Sequence, residues 1–507
     1  MSVYLRKTKT ETGWVEGIPA SDPRITSYKG IPYAKPPIGQ LRWKAPQPAD
    51  AWEGVLPCKE FGPIAMQRTP GLADNVYTKE WHVDPEIVMS EDCLYLNVWT
   101  PAKTGDEKFP VFVWFFGGGL QEGYPPEMEF DGERIARRGI VVVSVNYRLN
   151  SFGFLAHPEI TAENPDAPAN FGFLDQQYSL KWVQRNIAAF GGDPTNVSIG
   201  GQSAGGMSVS AQLYCKANEG LFHKAIIMSG IVGTGFGIAG TFTKTLAQAE
   251  EVGKAFFDFL GVQTLEEARA LDAFYLRDKT AEFRGGMFAT VWDDKFQFGD
   301  NKLGLRHGDR LDVPMIVGWT NGESVDGPKG ETKEEILAEI NKYFNPEYAQ
   351  VIAAEVEKLD DVDAIKKMLN RMGPELGSRS FLRGDEKSGK NTSKRWAYEF
   401  GPEMPGDNEG AFHSSDLWFF FESLAKCWRP FTGKHYDLAR QMCNYWCNFF
   451  KNGDPNGPDA DGTAMPTWAA YTEEKPATIH FYDQIEVDEG PHTKVLEAEL
   501  DNILANS

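Results

Sequence analysis

The stretch IGGQSAGGMS at residues 199–208 surrounds Ser203 with four glycines and an alanine. Glycine is unfavourable inside helices and strands, because it loses the most conformational freedom on folding. So many small residues around one serine indicate a steric requirement. The preceding residues, NVSIGG at 196–201, are typical of a buried strand, and SAGGMSVSAQLYC at 203–215 is typical of the start of a helix.

The five residues GQSAG at 201–205 fit the pattern G-x-S-x-G in the context that it requires, a strand, a tight turn and a helix. Such a turn strains the serine backbone so that the hydroxyl points outward, and bulky side chains two positions away would collide. The free N–H groups that begin the helix, Ala204 first, can stabilise a developing oxyanion. Because short matches also arise by chance, a plain glycine-rich turn is the alternative.

Composition narrows the function classes. The chain has 507 residues and a formal net charge of −21, which disfavours binding to nucleic acid or to an anionic membrane surface. The longest apolar runs, such as VFVWFF at 111–116, are too short to cross a membrane. The first 17 residues lack the apolar core of a signal peptide, which predicts a cytoplasmic protein. The six cysteines fit no common zinc pattern, so we expect free thiols and no metal.

Continuous apolar runs recur along the chain and indicate strands that are buried on both faces. Helical patterns separate several of them, for example at 175–190, so the sequence predicts an α/β fold with a large, mostly parallel central sheet flanked by helices. The segments at about 231–310 and 332–383 interrupt this pattern, and we expect them to be insertions in one domain spanning residues 1–507. The runs lie at 94–99, 111–116, 140–147, 196–201, 224–230 and 313–320.

A nucleophilic serine needs a base, and the base needs an orienting acid. Where the serine sits on this kind of turn, the order along the chain is serine, acid, histidine. Glu323 directly follows the predicted strand at 313–320, and Asp326 is close enough to be its rival. Among the six histidines after Ser203, His413 follows a polar loop and precedes an aromatic run.

The triple glycine at 117–119 follows the strongly apolar strand VFVWFF. Without Cβ atoms, its backbone N–H groups can approach a substrate closely, as an oxyanion hole requires. A flexible hairpin turn is the alternative.

Three longer motifs resemble the type-B carboxylesterases, a family that includes cholinesterases, fungal lipases and bacterial para-nitrobenzyl esterases. They are YKGIPYAKPPIGQLRWKAP at 28–46, SEDCLYLNVW at 90–99, and the segment 170–206 that leads into the serine turn. The resemblance extends from about residue 12 to about residue 483, and it implies the α/β-hydrolase fold, with helical insertions. It also implies the site residues, namely nucleophile Ser203, acid Glu323, base His413, and an oxyanion hole made by Gly118, Gly119 and Ala204.

The same resemblance implies supporting residues. Arg42 with Glu91 and Arg148 with Asp175 match structural ion pairs of the family, and Ser229 matches a serine that supports the triad.

Three positions depart from the family pattern. Cys93 has no cysteine at the expected upstream position, where Ala65 and Met66 stand, so we expect a free thiol. Phe116 precedes the triple glycine where many relatives carry His or Tyr, which removes a polar support of that loop. Gln202 precedes the nucleophile where cholinesterases carry Glu, and we expect it to contact the triad.

The sequence therefore predicts a serine carboxylesterase that acts through an acyl-enzyme intermediate without a cofactor. Its substrate is expected to be a small uncharged ester with a short-to-medium acyl chain or an aryl group, although Trp81 is a candidate cation-binding residue. Feruloyl, cinnamoyl or lipid esters cleaved by the same triad are the nearer alternative. A non-catalytic interaction protein, like the adhesion proteins that share this fold, is the remote one. The oligomeric state and the natural acyl and alcohol groups are left open.

Overall fold

The computed structural model describes residues 4–237 and 243–507, apart from the side chains of residues 301 and 302. Within these ranges the strands are β1 (Lys7–Lys9), β2 (Trp14–Glu16), β3 (Ile18–Pro19), β4 (Thr26–Pro32), β5 (Val55–Pro57), β6 (Tyr95–Thr100), β7 (Phe109–Phe115), β8 (Val141–Val145), β9 (Gly192–Gln202), β10 (Lys224–Met228), β11 (Lys244–Thr245), β12 (Val291–Trp292), β13 (Met315–Thr320), β14 (Val325–Asp326), β15 (Arg371–Met372), β16 (Arg395–Phe400), β17 (Thr478–Phe481) and β18 (Ile485–Asp488).

The α-helices of the same ranges are α1 (Val76–Glu80), α2 (Glu133–Ala136), α3 (Asn150–Phe154), α4 (Pro158–Glu163), α5 (Phe171–Asn186), α6 (Ala204–Tyr214), α7 (Leu246–Leu260), α8 (Leu265–Arg269), α9 (Ala273–Glu282), α10 (Asn301–Arg306), α11 (Lys333–Tyr343), α12 (Pro346–Val356), α13 (Val362–Leu369), α14 (Gly373–Ser388), α15 (Leu417–Phe420), α16 (Gly433–Asn452) and α17 (Lys494–Ala505). The longest, α16, buries an aromatic face against the sheet, where Phe450 stacks on Phe112 with ring centroids 4.3 Å apart.

A sheet of eleven described strands forms the centre of the fold, in the order β18-β17-β16-β13-β10-β9-β7-β8-β6-β4-β3. The strands from β8 to β17 run parallel, and the strands at both edges run antiparallel. Every residue of β8, β10 and β13 is buried, as expected for strands covered by helices on both faces. The predicted α/β fold with a mostly parallel sheet is confirmed.

Several strands carry no continuous apolar run, and the sequence did not predict them. β16 contains Arg395, whose charge is buried beside Asp385 and Glu386 on α14. In β1 and β2 only the middle residue is buried, and they join β5 in a separate small sheet. Tertiary partners stabilise these strands, so a pattern within the strand does not reveal them.

The two segments expected to be insertions are largely helical. The first contains α7 to α10, and its residues 238–242 lie outside the described ranges. The second contains α11 to α13, but its expected end at residue 383 falls inside α14, which packs against β13 of the central sheet. The organisation of the chain as one domain with insertions stays a prediction.

All six cysteines are free thiols, so the prediction for Cys93 is confirmed. Cys93 is completely enclosed, and burial raises the pKa of its thiol well above the ordinary value. Among the described helices, none combines the length and the apolar character needed to cross a bilayer.

Candidate active site

The turn between β9 and α6 strains one residue. Ser203 follows the last residue of β9 and precedes the first residue of α6, with φ 56° and ψ −123°. A non-glycine residue in this region costs about 1–3 kcal/mol, which the surrounding structure must compensate. The Ser203 N–H group donates to the Met228 carbonyl of β10 at 2.8 Å, which fixes the turn to the sheet. The predicted strand, turn and helix are confirmed.

The glycines of the turn allow α6 to approach the sheet. A Cβ atom on Gly205 would lie 2.0 Å from the Phe115 carbonyl oxygen of β7. A Cβ atom on Gly201 would lie 2.3 Å from the Gly205 carbonyl oxygen. Both distances are shorter than any real contact, so the strand and the helix can meet in this way only if both positions are glycine.

Glu323 and His413 come together at the end of β13. The Glu323 Oε2 atom lies 3.2 Å from His413 Nδ1, and the Glu323 side chain is only 1% exposed. The other oxygen, Oε1, accepts hydrogen bonds from the Thr320 N–H group and hydroxyl, both at 3.0 Å, and from the Ser229 hydroxyl. The carboxylate is thus held with one oxygen directed to the imidazole, and Ser229 contacts it as expected.

The surroundings of His413 favour its protonated form. Burial by itself lowers the pKa of His413, but the hydrogen bond and charge of Glu323, together with the charge of Asp416, outweigh it and raise the pKa above its ordinary value. Asp416 is itself buried, and burial raises the pKa of its carboxyl to about 7 although Tyr398 donates to it. No pattern in the sequence indicated Asp416, which stands three residues after His413 on the same loop.

The second ring nitrogen of His413 faces Gln202. The His413 Nε2 atom lies 3.3 Å from Gln202 Nε2, and the Ser414 hydroxyl donates to Gln202 Oε1 at 2.8 Å. In the described part of the chain, no hydrogen bond joins the Ser203 hydroxyl to the ring. Catalytic hydrogen bonds are often long before substrate binds, and Ser203 and His413 line the same cavity.

The triple glycine lies against Ser203. A Cβ atom on Gly117 would stand 3.2 Å from the Ser203 Cβ atom. Gly118 has φ 98° and Gly119 has φ 65°, and among the described residues neither N–H group has an acceptor. Ala204 is the first residue of α6, so its N–H group has no partner within that helix. The three N–H groups expected to form an oxyanion hole are thus free to bind a ligand.

Phe116 is supported in a way that the sequence did not show. Its ring stacks on Tyr147 with centroids 4.3 Å apart, and the Tyr147 hydroxyl donates to the Phe116 carbonyl at 2.7 Å. A polar group therefore holds the backbone of the glycine loop, but it comes from the end of β8 rather than from position 116.

Asp326, the rival acid, is engaged elsewhere. Its Oδ2 atom accepts hydrogen bonds from the N–H groups of Gly235 at 2.7 Å and Phe236 at 3.0 Å. It therefore fixes the segment that follows β10, and the structure pairs His413 with Glu323 instead.

A cavity of about 460 Å³ opens in front of Ser203, and we call it the Ser203 cavity. Its described lining comprises Gln67, Arg68, Tyr77, Trp81, His82, Gly117, Gly118, Gly119, Gln121, Glu122, Gly123, Glu127, Phe130, Asn150, Gln202, Ser203, Arg277, Thr280, Ala281, His413, Ser414 and Leu417. Trp81, whose position the sequence could not fix, thus lies in the same cavity as the serine. No group of three or more metal-ligating side chains occurs in the described ranges.

A buried ion-pair chain supports the aromatic wall of this cavity. Arg429 and Glu80, both with fully buried side chains, pair at 2.8 Å, and Arg429 also binds both carboxylate oxygens of Asp407 at 2.8 Å. The guanidinium lies 5.3 Å from the ring centroid of Phe412, which in turn stacks on Trp81 at 6.3 Å. Phe412 precedes His413, so these charges fix both the histidine loop and the wall. No local pattern in the sequence indicates them, because Arg429 and Glu80 are 349 positions apart.

The two expected structural ion pairs are present. Arg42 pairs with Glu91 at 2.6 Å, and Arg148 pairs with Asp175 at 2.7 Å. Both are buried and bidentate, an arrangement that makes a guanidinium–carboxylate pair strong and directional.

These features accompany a match to a known family. The sequence profile of the carboxylesterase family matches residues 5–498. The chain belongs to the carboxylesterase family. The esterase is 31% identical over 507 residues to the para-nitrobenzyl esterase of Bacillus subtilis (strain 168), an alignment that covers 96% of each protein. It is 30% identical over 516 residues to the cholinesterase of Mus musculus, covering 93% of the esterase and 82% of the cholinesterase.

Solved structures agree with this assignment. A para-nitrobenzyl esterase structure superposes with a TM-score of 0.77 at 28% identity, over 97% of the esterase and 99% of that chain. A Geobacillus stearothermophilus carboxylesterase structure gives a TM-score of 0.75 at 28% identity, over 97% of the esterase and 100% of that chain. The α/β-hydrolase prediction is confirmed. The esterase is a serine carboxylic ester hydrolase for small-molecule esters, so the non-catalytic alternative has no support.

The close approach of α6 to the sheet makes Gly205 sensitive to substitution. We expect Gly205→Ala to destabilise the protein by about 1–3 kcal/mol or more, because the added methyl group forces the backbones apart. Equilibrium unfolding in urea measures the effect. Gly433→Ala is the matched control: no atom lies within 4 Å of its Cβ position, and it begins helix α16, so stability should not fall. A Gly205→Ala protein as stable as the parent would contradict the packing analysis.

Proposed function

We propose that the esterase cleaves its substrates through Ser203, His413 and Glu323, with an acyl-enzyme intermediate on Ser203. The observation that supports this most is the buried Glu323 carboxylate, 3.2 Å from His413 Nδ1, while the same ring lines the cavity in front of the strained serine. Nucleophile, base and orienting acid are the three parts that acyl transfer by a serine requires.

The reaction begins with attack of the Ser203 hydroxyl on the ester carbonyl, while His413 Nε2 accepts the hydroxyl proton. Glu323 holds the ring with Nδ1–H toward its own carboxylate, and it stabilises the imidazolium that forms. His413 then gives the proton to the departing alcohol. Water deacylates Ser203 by the same route, with His413 again acting as the base.

The negative charge of the tetrahedral intermediate develops on the former carbonyl oxygen. The N–H groups of Gly118, Gly119 and Ala204 are proposed to bind it. Ala204 directly follows Ser203, Gly118 and Gly119 line the same cavity as Ser203, and none of the three N–H groups has an acceptor among the described residues. Tyr147 contributes indirectly, since its hydroxyl bonds the carbonyl of Phe116 and so fixes the glycine loop. Donors held in place before the reaction need no reorganisation during it.

The preferred substrate is proposed to be an uncharged ester with a short-to-medium acyl chain or an aryl group. The cavity of about 460 Å³ has the size of a small-molecule site, and Tyr77, Trp81 and Phe130 give it an aromatic wall. Gln202, beside the nucleophile, is neutral. Rates on p-nitrophenyl esters of increasing chain length, compared with cinnamoyl and feruloyl esters, test this proposal against its alternatives.

Ser203 should be the one serine that reacts with a fluorophosphonate probe. Mass spectrometry of the labelled protein locates the adduct. Ser203→Ala should abolish labelling and reduce kcat by at least about 10⁴-fold, since the nucleophile is lost. Ser210→Ala removes a hydroxyl from helix α6, which bonds the Gly206 carbonyl and no other group among the described residues, and should leave labelling intact. Undiminished labelling of Ser203→Ala would refute the assignment.

The pH dependence of kcat/KM should report His413. The ring must be neutral to accept the serine proton, and its pKa is raised, so activity should rise with pH through a value above about 6.5. Glu323→Gln removes the charge that raises this pKa, so the acid limb should move to lower pH while kcat falls severely. Asp326→Asn should leave the limb in place. If Asp326→Asn is crippled and Glu323→Gln is not, Asp326 is the acid.

Gln202 should limit the preference for cationic esters. We expect 3,3-dimethylbutyl butyrate to be cleaved with a higher kcat/KM than its cationic isostere butyrylcholine. Gln202→Glu should raise the butyrylcholine-to-neutral ratio roughly tenfold, because it adds a carboxylate near the aromatic wall. Gln202→Met, which is neutral, controls for loss of the amide and should not raise the ratio. A clear preference of the parent for butyrylcholine would contradict the proposal.

A further inference from the structure

A second histidine–carboxylate pair lies in the wall of the Ser203 cavity, and the reaction described above does not use it. The His82 Nε2 atom is 3.1 Å from Glu127 Oε1, and the two side chains are 15% and 4% exposed. Both residues line the cavity that holds Ser203 and His413. The pair is therefore in position to influence the electrostatic potential that a bound ester experiences.

The pair is firmly held by its surroundings. The Tyr124 N–H group donates to Glu127 Oε1 at 2.9 Å, and the Tyr124 ring stacks on His82 with centroids 5.7 Å apart. The Tyr124 hydroxyl reaches the Trp81 carbonyl at 3.5 Å. Because Tyr124 comes shortly after the glycine loop, its contacts link the pair to the segment of the chain that follows this loop.

Among the carboxyl groups near His82, Glu127 carries the negative charge that the protonated ring of His82 neutralises. Burial, followed by the charge of Glu127, raises the pKa of the fully buried Glu129 well above its ordinary value, which favours the neutral form of this neighbour. Burial alone lowers the pKa of His82, but the charge and hydrogen bond of Glu127 and the charge of Glu122 outweigh it and raise the pKa. The other charged or titratable side chains among the described residues that line the cavity are Arg68, Tyr77, Arg277 and His413.

We infer that the His82–Glu127 pair sets the charge of the cavity wall and thereby shifts the choice between cationic and uncharged esters with pH. This inference rests on the proposed function. While His82 is protonated, the pair carries no net charge. When His82 loses its proton, the Glu127 carboxylate remains as an uncompensated negative charge near the aromatic wall. An ammonium group in the alcohol portion of the ester is then attracted, and its uncharged isostere is not.

The test is the ratio of kcat/KM for butyrylcholine to that for 3,3-dimethylbutyl butyrate, measured from about pH 5.5 to 9, the range in which histidine titrates. Both esters require neutral His413, so its titration cancels in the ratio. In the parent we expect the ratio to rise roughly fivefold with pH, the effect of one unit charge across such a cavity at an effective dielectric constant of about 20. The midpoint of this increase should lie above about pH 6.5, because the pKa of His82 is raised.

Two variants separate the members of the pair. His82→Asn leaves Glu127 without a partner that can carry a positive charge, so its ratio should be high and independent of pH. Glu127→Gln removes the negative charge, so its ratio at high pH should fall to the value of the parent at low pH. His307→Asn removes an exposed histidine outside the cavity lining and should reproduce the parent curve. A purely structural role for the pair would change both esters alike and leave the ratio unmoved.

Two results would overturn the inference. The first is a ratio in the parent that does not change with pH. The second is a rise that persists in His82→Asn, which would assign it to another group such as Asp416. If the parent cleaves neither of the two esters, the proposed function is refuted as well, whereas cleavage with an unchanging ratio refutes only the role of the pair.

Discussion

The approach of helix α6 to the carboxyl ends of β7 and β9 is the constraint on which the rest of the site depends. The helix can begin immediately after the strand only because Gly201 and Gly205 present no Cβ atoms to the facing carbonyls. This geometry leaves Ser203 in a strained conformation, tied to β10 by its N–H group. The Ala204 N–H group, at the start of α6, directly follows Ser203, so one packing contact places both the hydroxyl and an N–H group that we propose as an oxyanion donor.

The parallel strands of the sheet bring the other residues of the candidate active site close to Ser203. Loops that follow neighbouring parallel strands emerge at one edge, where ligands of open α/β sheets bind. The glycine loop follows β7, Ser203 follows β9, Ser229 follows β10 and Glu323 follows β13. His413 lies farther along the chain after β16, and an isolated bridge between Gly322 and Phe412 brings its loop to the Glu323 loop.

The sequence predicted those parts of the molecule that local patterns determine. Continuous apolar runs located the central strands, and the glycines of 117–119 and 201–206 identified two turns at which backbone must pass close to other groups. Position 323 could be proposed because it directly follows a buried strand, but only the structure separates it from Asp326, whose carboxylate binds the Gly235 and Phe236 N–H groups. Strands such as β16, with a buried arginine, depend on distant partners and were missed.

Buried charges in and around the site act in two different ways, and no local pattern revealed those of Arg429 or of the His82–Glu127 pair. Arg429 between Glu80 and Asp407 is fully paired, so it stays charged and serves as a fixed support for Phe412 and Trp81. His413 and His82 each face one carboxylate, at 3.2 Å and 3.1 Å, and each remains partly exposed. An arginine does not lose its proton in proteins, whereas an imidazole does so near neutral pH. The same kind of ion pair therefore stabilises structure where the cation is arginine, and where the cation is histidine it supports the proton transfer and the change of charge that we propose.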